Sequence, residues 1–476
     1  MPRKTQTRRG HGGGRGFSLL RSSLAPEPAA GRPVLPSPAP VPSLLCGSPV
    51  RFLPARVFLW PPAPICFHLQ LLPCGLWTTD SLQMAGPVQD RTDFDVRMAV
   101  TLEEAPWLGW ILVKALVRFA FMVANNLVAI PSYLCYIIVL LPLRLLDSKR
   151  YWYLEGMMYK WLLGMVASWG WYAGYTVMEW GEDIKTISED EAVMLVNHQA
   201  TGDVCTLMMC LQDKGLVVAQ MMWLMDHIFK YTNFGIVSLV HGDFFIRQGK
   251  SHRDQQLLLL KKHLENNYRN RDRKWIVLFP EGGFLRKRRE TSQSFAKKNN
   301  LPFLTHVTLP RVGATKIILR ALVARQENGS PAGGDAKELD NKSKGLQWII
   351  DTTIAYPKAE PIDIQTWILG YRKPAVIHVH YSFCFFLTLD RIFPVKDVPL
   401  ETDDLSDWLY QRFIEKEDLL SHFYETGAFP PPKGHKEAVS REMTLSNMWI
   451  FLIQSFAFLS GYMWYNIFQY FYHCLF

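Results

Sequence analysis

Two hydrophobic patterns alternate along this chain. One consists of long uncharged runs, the other of short apolar strips set in polar sequence. Residues 119–143 carry no charge, with Lys114 and Arg118 before them and Arg144, Lys149 and Arg150 after. About 20 helical residues cover the roughly 30 Å of a hydrocarbon core, so this run predicts a membrane segment. Asn125, Asn126 and Pro131 lie inside it and allow either a straight span or a kinked, re-entrant one. Residues 161–178 form a second uncharged run, rich in tryptophan and glycine. It fits a span or a segment at the interface, where aromatic rings are favourable. Residues 443–476 contain no Asp, Glu, Lys or Arg and close on an aromatic tail. They predict a second membrane attachment at the C-terminus.

Between these runs the strips are four to nine residues long. Residues 192–196, 236–240, 275–279, 306–309, 348–355 and 375–383 predict strands. A helix is expected around Met208 and Cys210. Another is expected over 254–266, where Leu257 to Leu260 and Leu264 supply the apolar face. Strands alternating with helices predict an α/β fold, a mixed or largely parallel sheet with flanking helices. That fold would be held to the membrane by N-terminal and C-terminal hydrophobic segments. Residues 328–334 read as a turn or surface insertion, and 383–389 as a strand extension or a membrane-facing loop.

Residues 1–97 differ from the rest. They hold 15 of the 30 prolines and a basic, glycine-rich start. Proline fixes φ and removes a donor, so a disordered extension is expected there. Met98 opens the part that reads as folded and could start a shorter form. The organisation predicted is an extension over 1–97, a membrane-associated region over 98–180, a catalytic domain over 181–440 and a membrane segment over 441–476.

Hydrophobic residues make up 49% and charged residues 20%, which excludes whole-chain disorder and a fibrous repeat. Of the net charge of +9, the first 97 residues carry +6, and no nucleic-acid-binding motif accompanies it. Nucleic acid is therefore not an expected partner; anionic lipid beside the hydrophobic runs is. None of the eight cysteines forms a C-x-x-C pair, and no close-spaced metal motif is present.

The chemistry concentrates in four places. His198 follows directly on the apolar strip 192–196, and Asp203 lies five residues on, across a glycine-containing turn. The carboxylate can fold back to fix the imidazole tautomer, leaving the other nitrogen to take a proton from a hydroxyl. The alternative is a helix cap by Asp203 with His198 hydrogen-bonded in the turn. Phe279-Pro280-Glu281-Gly282-Gly283 is a strand running into a turn able to present backbone N–H groups to an anion, with Arg286 to Arg289 behind it. Glu281 cannot attract a phosphate and reads as orienting a cation, a backbone donor or a hydroxyl. Arg247, closing Gly242-Asp243-Phe244-Phe245-Ile246, could hold a phosphate in a bidentate contact. Leu309-Pro310 reads as packing.

In this order these four segments resemble the four blocks of the glycerophospholipid acyltransferase family, which includes the lysophosphatidic acid acyltransferases. The resemblance covers nearly all of the chain after residue 97. It implies acyl-CoA as co-substrate, no tightly bound cofactor, and a lysophospholipid acceptor, with lysophosphatidylglycerol or lysophosphatidylethanolamine expected. His198 becomes the general base and Asp203 its orienting partner. Arg247, Glu281, Gly282, Gly283 and Arg286 become acceptor-binding positions. The resemblance also implies an endoplasmic reticulum membrane protein whose catalytic domain faces the cytosol. The Asn328-Gly329-Ser330 and Asn341-Lys342-Ser343 glycosylation acceptors would then go unused. The acyl chain is expected against the hydrophobic segments and near residues 221–223. Two departures stand out. Ile246 and Arg247 are adjacent where the family places one residue between them, and Gly283-Phe284 replace the usual Thr-Arg of the third block. Arg286 or Arg288 could compensate. A lipid hydrolase and a non-catalytic lipid-binding scaffold are the competing readings.

Overall fold

The computed structural model describes residues 105–323, 345–382, 393–394, 398–431 and 438–476. The N-terminal extension, the 328–334 turn, both glycosylation acceptors and the apolar run 383–389 lie outside the described residues.

The first uncharged run is the middle of one unbroken helix, α1 (Ala105–Leu146), 42 residues long with Pro131 and Pro142 inside it. Among the described residues it is the one helix long and apolar enough to cross a membrane. Leu112, Leu116, Leu127, Ile138 and Leu145 stand on its exposed surface. Two polar positions inside the run have partners on the next helix, α2 (Ser148–Ala173), whereas Asn126 and Ser132 donate to carbonyls of α1 itself. Trp169 Nε1 donates to Asn125 Oδ1 at 3.1 Å, and the Tyr133 hydroxyl donates to Glu155 at 2.8 Å.

The second uncharged run is not a separate span. Gly174, at φ +88°, ends α2 in the left-handed conformation, and the chain turns into strand β1 (Thr176–Gly181). Trp152, Trp161, Trp169 and the three glycines of α2 are buried in the protein, and Trp171 is partly buried. The C-terminal run forms helix α10 (Asn447–Leu475), which packs on α1 and α2. Tyr136 donates to Ser460 at 2.9 Å, and Trp161 Nε1 donates to the Ile453 carbonyl at 3.1 Å. Gln454, Asn466, Gln469 and four tyrosines dilute the apolar character of α10, so the second span expected from sequence is not established.

The remaining elements are β2 (Ala192–Val196), α3 (Gly202–Cys210), β3 (Met221–Asp226), α4 (Asn233–His241), β4 (Phe244–Ile246), α5 (Arg253–His263), β5 (Trp275–Leu278), α6 (Leu285–Lys298), α7 (Val312–Leu322), β6 (Trp348–Ala355), α8 (Ile364–Leu369), β7 (Val376–Ser382), β8 (Phe393–Pro394), α9 (Thr402–Thr426) and β9 (Ser440–Met443). The strands make one mixed sheet in the order β4-β3-β5-β2-β6-β7-β1-β9, with β8 also on β6. From β4 to β6 every pairing is parallel; β7 and β9 run antiparallel to their neighbours β6 and β1. The inner strands β2 and β5 are buried at every position, as a sheet covered on both faces requires. One apolar cluster joins one face to α2, α3 and α10; the other joins the opposite face to α5, α7 and α9.

Two expected strands are absent. Residues 236–240 lie in helix α4, which buries Val237, Ser238 and His241 and exposes Ile236 and Leu239, a helical rather than alternating pattern. Residues 306–309 form a bend because side chains take the donors a ladder would need. Glu417 accepts from the N–H groups of Thr305, His306 and Val307, Glu281 from Thr308, and Ser292 from Leu309.

Candidate active site

The parallel strand β2 delivers the chain to the site, and Asn197 fixes its exit. This buried side chain both donates to and accepts from Ile354 of β6, at 3.0 and 2.7 Å, extending the ladder one step beyond the strand. His198 follows, held by its backbone on both sides. Its N–H donates to Glu281 Oε1 at 2.7 Å, and its carbonyl accepts from Leu285 N at 2.8 Å. The ring lies between Phe279 and Phe284, at centroid distances of 4.1 and 4.4 Å.

His198 Nδ1 lies 2.8 Å from Asp203 Oδ2, with the carboxylate fully buried and the imidazole 11% exposed. An ionised carboxylate only accepts, so Nδ1 carries the proton and Nε2 keeps its lone pair in the neutral ring. Nε2 has no protein partner among the described residues. Asp203 also accepts from Gln199 N at 2.7 Å, Ala200 N at 3.0 Å and the Tyr356 hydroxyl at 2.6 Å. Asp203 caps no helix: it stands in the first turn of α3 and binds the N–H groups of the turn before it, while the N-terminal residue Thr201 makes no side-chain cap bond. Gly202 is required here, because a Cβ would run into the Ile362 carbonyl.

Glu281 is buried and turned toward backbone donors. Besides His198 N–H it accepts from Thr308 N at 3.0 Å and Thr308 Oγ1 at 2.7 Å. Burial pushes its carboxyl up to about 8 against the pull of these donors. It ties the third block to the first and fourth, and among the described residues it forms no ion pair. Gly282 and Gly283 follow at φ +68° and +154°, conformations that favour glycine.

The arginines separate. Arg247 is exposed, and its backbone N–H donates to Gln256 at 3.0 Å. Arg286 is 79% exposed and pairs with Asp363 at 3.8 Å. Arg288 instead turns back over the glycine turn, donating to the Gly282 carbonyl at 2.8 Å and to Gln248 Oε1. Arg311, next to the fourth block, reaches the same Gln248 oxygen at 3.4 Å. Tyr356, Gln248 and Arg311 had no local motif to mark them in the sequence.

Cys205 and Cys210 are buried, and burial pushes both thiols up, Cys205 to about 12, which disfavours the thiolate at either position. Among the described residues no group of three or more His, Cys, Asp or Glu is placed to hold a metal ion.

Residues 181–321 match the Acyltransferase family and residues 367–451 the Acyltransferase C-terminus family. The chain is 89% identical over 379 residues, 80% of its length, to the whole of human acyl-CoA:lysophosphatidylglycerol acyltransferase 1, and 86% identical over the same length to the Mus musculus protein of that name. A lysocardiolipin acyltransferase 1 of Danio rerio is 29% identical over 290 residues, 60% of this chain and 66% of that protein.

Proposed function

Because the chain belongs to the glycerophospholipid acyltransferase family and is an acyl-CoA:lysophospholipid O-acyltransferase, we propose that His198 and Asp203 are its general-base dyad and that its acceptor is lysophosphatidylglycerol or lysophosphatidylethanolamine. The observation that carries this reading is the free Nε2 of His198, on a ring whose Nδ1 is engaged by a buried carboxylate. The name of the 89% identical human protein supports the first acceptor.

Nε2 takes the proton of the glycerol hydroxyl as that oxygen bonds to the thioester carbonyl carbon. Asp203 stabilises the resulting imidazolium. The tetrahedral intermediate collapses with cleavage of the carbon–sulfur bond, and the imidazolium returns its proton to the leaving coenzyme A sulfur. The products are a diacyl phospholipid and free coenzyme A, and no covalent bond to the enzyme forms. Arg247 and the turn from Phe279 to Gly283 are the proposed acceptor-binding wall.

The domain reading assigns 1–97 to an extension, 98–180 to membrane association, 181–440 to catalysis and 441–476 to a C-terminal membrane segment. The sheet borrows β1 from before residue 181 and the end of β9 from after residue 440. Helix α1 is the proposed anchor, and the exposed aromatic face of α10 is proposed to rest in the same bilayer, since Tyr462, Tyr465, Phe468 and Phe471 favour an interface. The endoplasmic reticulum, with catalysis on the cytosolic side where acyl-CoA is available, is the proposed location.

The test uses membranes with matched amounts of wild type and His198→Ala, given labelled acyl-CoA with lysophosphatidylglycerol, lysophosphatidylethanolamine or lysophosphatidic acid. Acceptor-dependent product lost in the variant is expected. Undiminished transfer by inserted His198→Ala would refute the base assignment. Wild-type transfer to lysophosphatidic acid alone would refute the acceptor, and fatty acid released without acceptor would identify a hydrolase.

A further inference from the structure

We infer that Arg288 and Arg311, bridged by Gln248, form a seat for a phosphate group of a substrate. The inference rests on the acyl-transfer reading and deepens it. Phe284, which follows the glycine turn, is committed to the His198 ring at 4.4 Å. Two cations approach the turn. Arg288 lies one turn into α6 and donates to the Gly282 carbonyl at 2.8 Å. Arg311 is fastened by its backbone N–H to the Pro280 carbonyl at 2.8 Å.

The glycines make room for both. A Cβ on Gly283 would sit 2.9 Å from Arg288 Nε, and one on Gly282 would sit 3.0 Å from Arg311 Nη1. A side chain at position 283 would therefore displace Arg288.

Gln248 sets the spacing of the two guanidiniums. Its Nε2 donates to Asp226 Oδ2 at 2.8 Å, which fixes which end of the amide faces the arginines. Its Oε1 is the atom that both arginines approach. Among the described residues neither arginine forms an ion pair, so two cations share one neutral acceptor. Burial, and then the nearby Arg288 charge, lower the Arg311 guanidinium below its ordinary value. A phosphate between two planar guanidiniums would accept from both and offset their repulsion. Glu281 places the seat next to the base, because it precedes Gly282 and holds the His198 N–H.

The phosphate could be that of the lysophospholipid headgroup or one of coenzyme A, and the test separates them. Immobilised wild type, Arg288→Gln, Arg311→Gln and Gly283→Thr in detergent are titrated with labelled lysophosphatidylglycerol and, separately, with labelled coenzyme A. Losing a hydrogen bond to a charged group should weaken one of these ligands by on the order of 10–100-fold in each variant. Lysine at 288 or 311 should recover part of the loss as a point charge. Weakened lysophosphatidylglycerol assigns the seat to the headgroup; weakened coenzyme A assigns it to the donor. Unchanged affinity for both ligands in both glutamine variants overturns the inference, and if one fails to fold, Gly283→Thr and the other decide. Turnover is measured on the same samples. Absent wild-type transfer would refute the acyl-transfer reading, whereas normal transfer with unchanged binding in the variants would refute the seat alone.

Discussion

Two histidine–carboxylate pairs stand in this molecule with nearly the same separation. His198 lies 2.8 Å from Asp203 and His241 lies 2.9 Å from Glu155. The second pair is wholly buried between α2 and the sheet. Its histidine stacks on Tyr159 at 3.4 Å, and Nε2 donates to the Met221 carbonyl at 2.9 Å. Arg273 completes it, reaching Glu155 at 2.8 Å and the His241 carbonyl at 2.6 Å. Burial alone would raise the Glu155 carboxyl, yet His241 and Arg273 hold it at about 2. Every polar end of that histidine is used inside the protein. The pair at His198 differs in one respect that matters for chemistry, because its second nitrogen is unspent. A histidine–carboxylate contact marks a base only when the far nitrogen has somewhere to take a proton from.

The sharpest way to break this comparison is to delete each histidine in turn. His198→Ala should lower turnover by about 10²–10⁴-fold with little change in thermal stability. His241→Ala should do the reverse, costing about 3–5 kcal/mol by disrupting a buried charge cluster while turnover per folded molecule survives. The melting point should fall by on the order of 5–15 °C, read by thermal unfolding in detergent. Equal stability losses in the two variants would show that the pairs are not divided into chemistry and structure.

A smaller effect is expected at Tyr356. Its hydroxyl partly neutralises Asp203 through the 2.6 Å contact. Tyr356→Phe removes that donor and leaves Asp203 Oδ1 without its hydroxyl partner. Turnover should fall by roughly 3–30-fold, with a smaller loss of thermal stability than in His241→Ala. Unchanged turnover would make Tyr356 only a packing residue.

A last effect, on stability rather than turnover, involves histidines with no carboxylate partner among the described residues. Burial lowers His378 to about 4; burial and then the Lys416 charge lower His380 to about 4. The unfolded chain takes up these protons near 6.5, the native state only near 4. Their stabilisation is therefore complete above about pH 6.5 and is lost as the pH falls toward 4. Melting points between pH 7.5 and 4.5 should decline less steeply in the His378→Gln, His380→Gln double variant than in wild type.

The contact between His198 and Asp203 was legible because its parts are local. Five residues, a strand end and a glycine turn specify how Asp203 meets His198. The inner strands were legible too, as continuous apolar strips. Tyr356, Gln248 and Arg311 were not, since each acts on a partner distant in sequence through a contact that only the fold creates. Residues 236–240 misled because a short apolar run has no decisive period, and the helix is settled by what its two faces touch. Residues 306–309 misled because Glu417, over a hundred residues away, takes the donors of a would-be strand. Arg286 and Arg288 were equivalent as a basic run, and only the direction of each side chain from α6 tells them apart.

Strand β1 sits in the sheet between β7 and β9, although both arrive far later in the chain. During synthesis Gly181 emerges roughly 260 residues before Ser440, so at about 5–20 residues per second β1 waits about 13–50 s for its second neighbour. Strand β7 can close one edge from residue 382 on, and the other hydrogen-bonding edge stays open throughout that interval. Tyr356, which completes the Asp203 contacts, also emerges well after the histidine and the aspartate. Assembly of the site is therefore a late event in the birth of the protein, and a ribosome stalled anywhere before residue 440 leaves a nascent chain with an unsealed sheet.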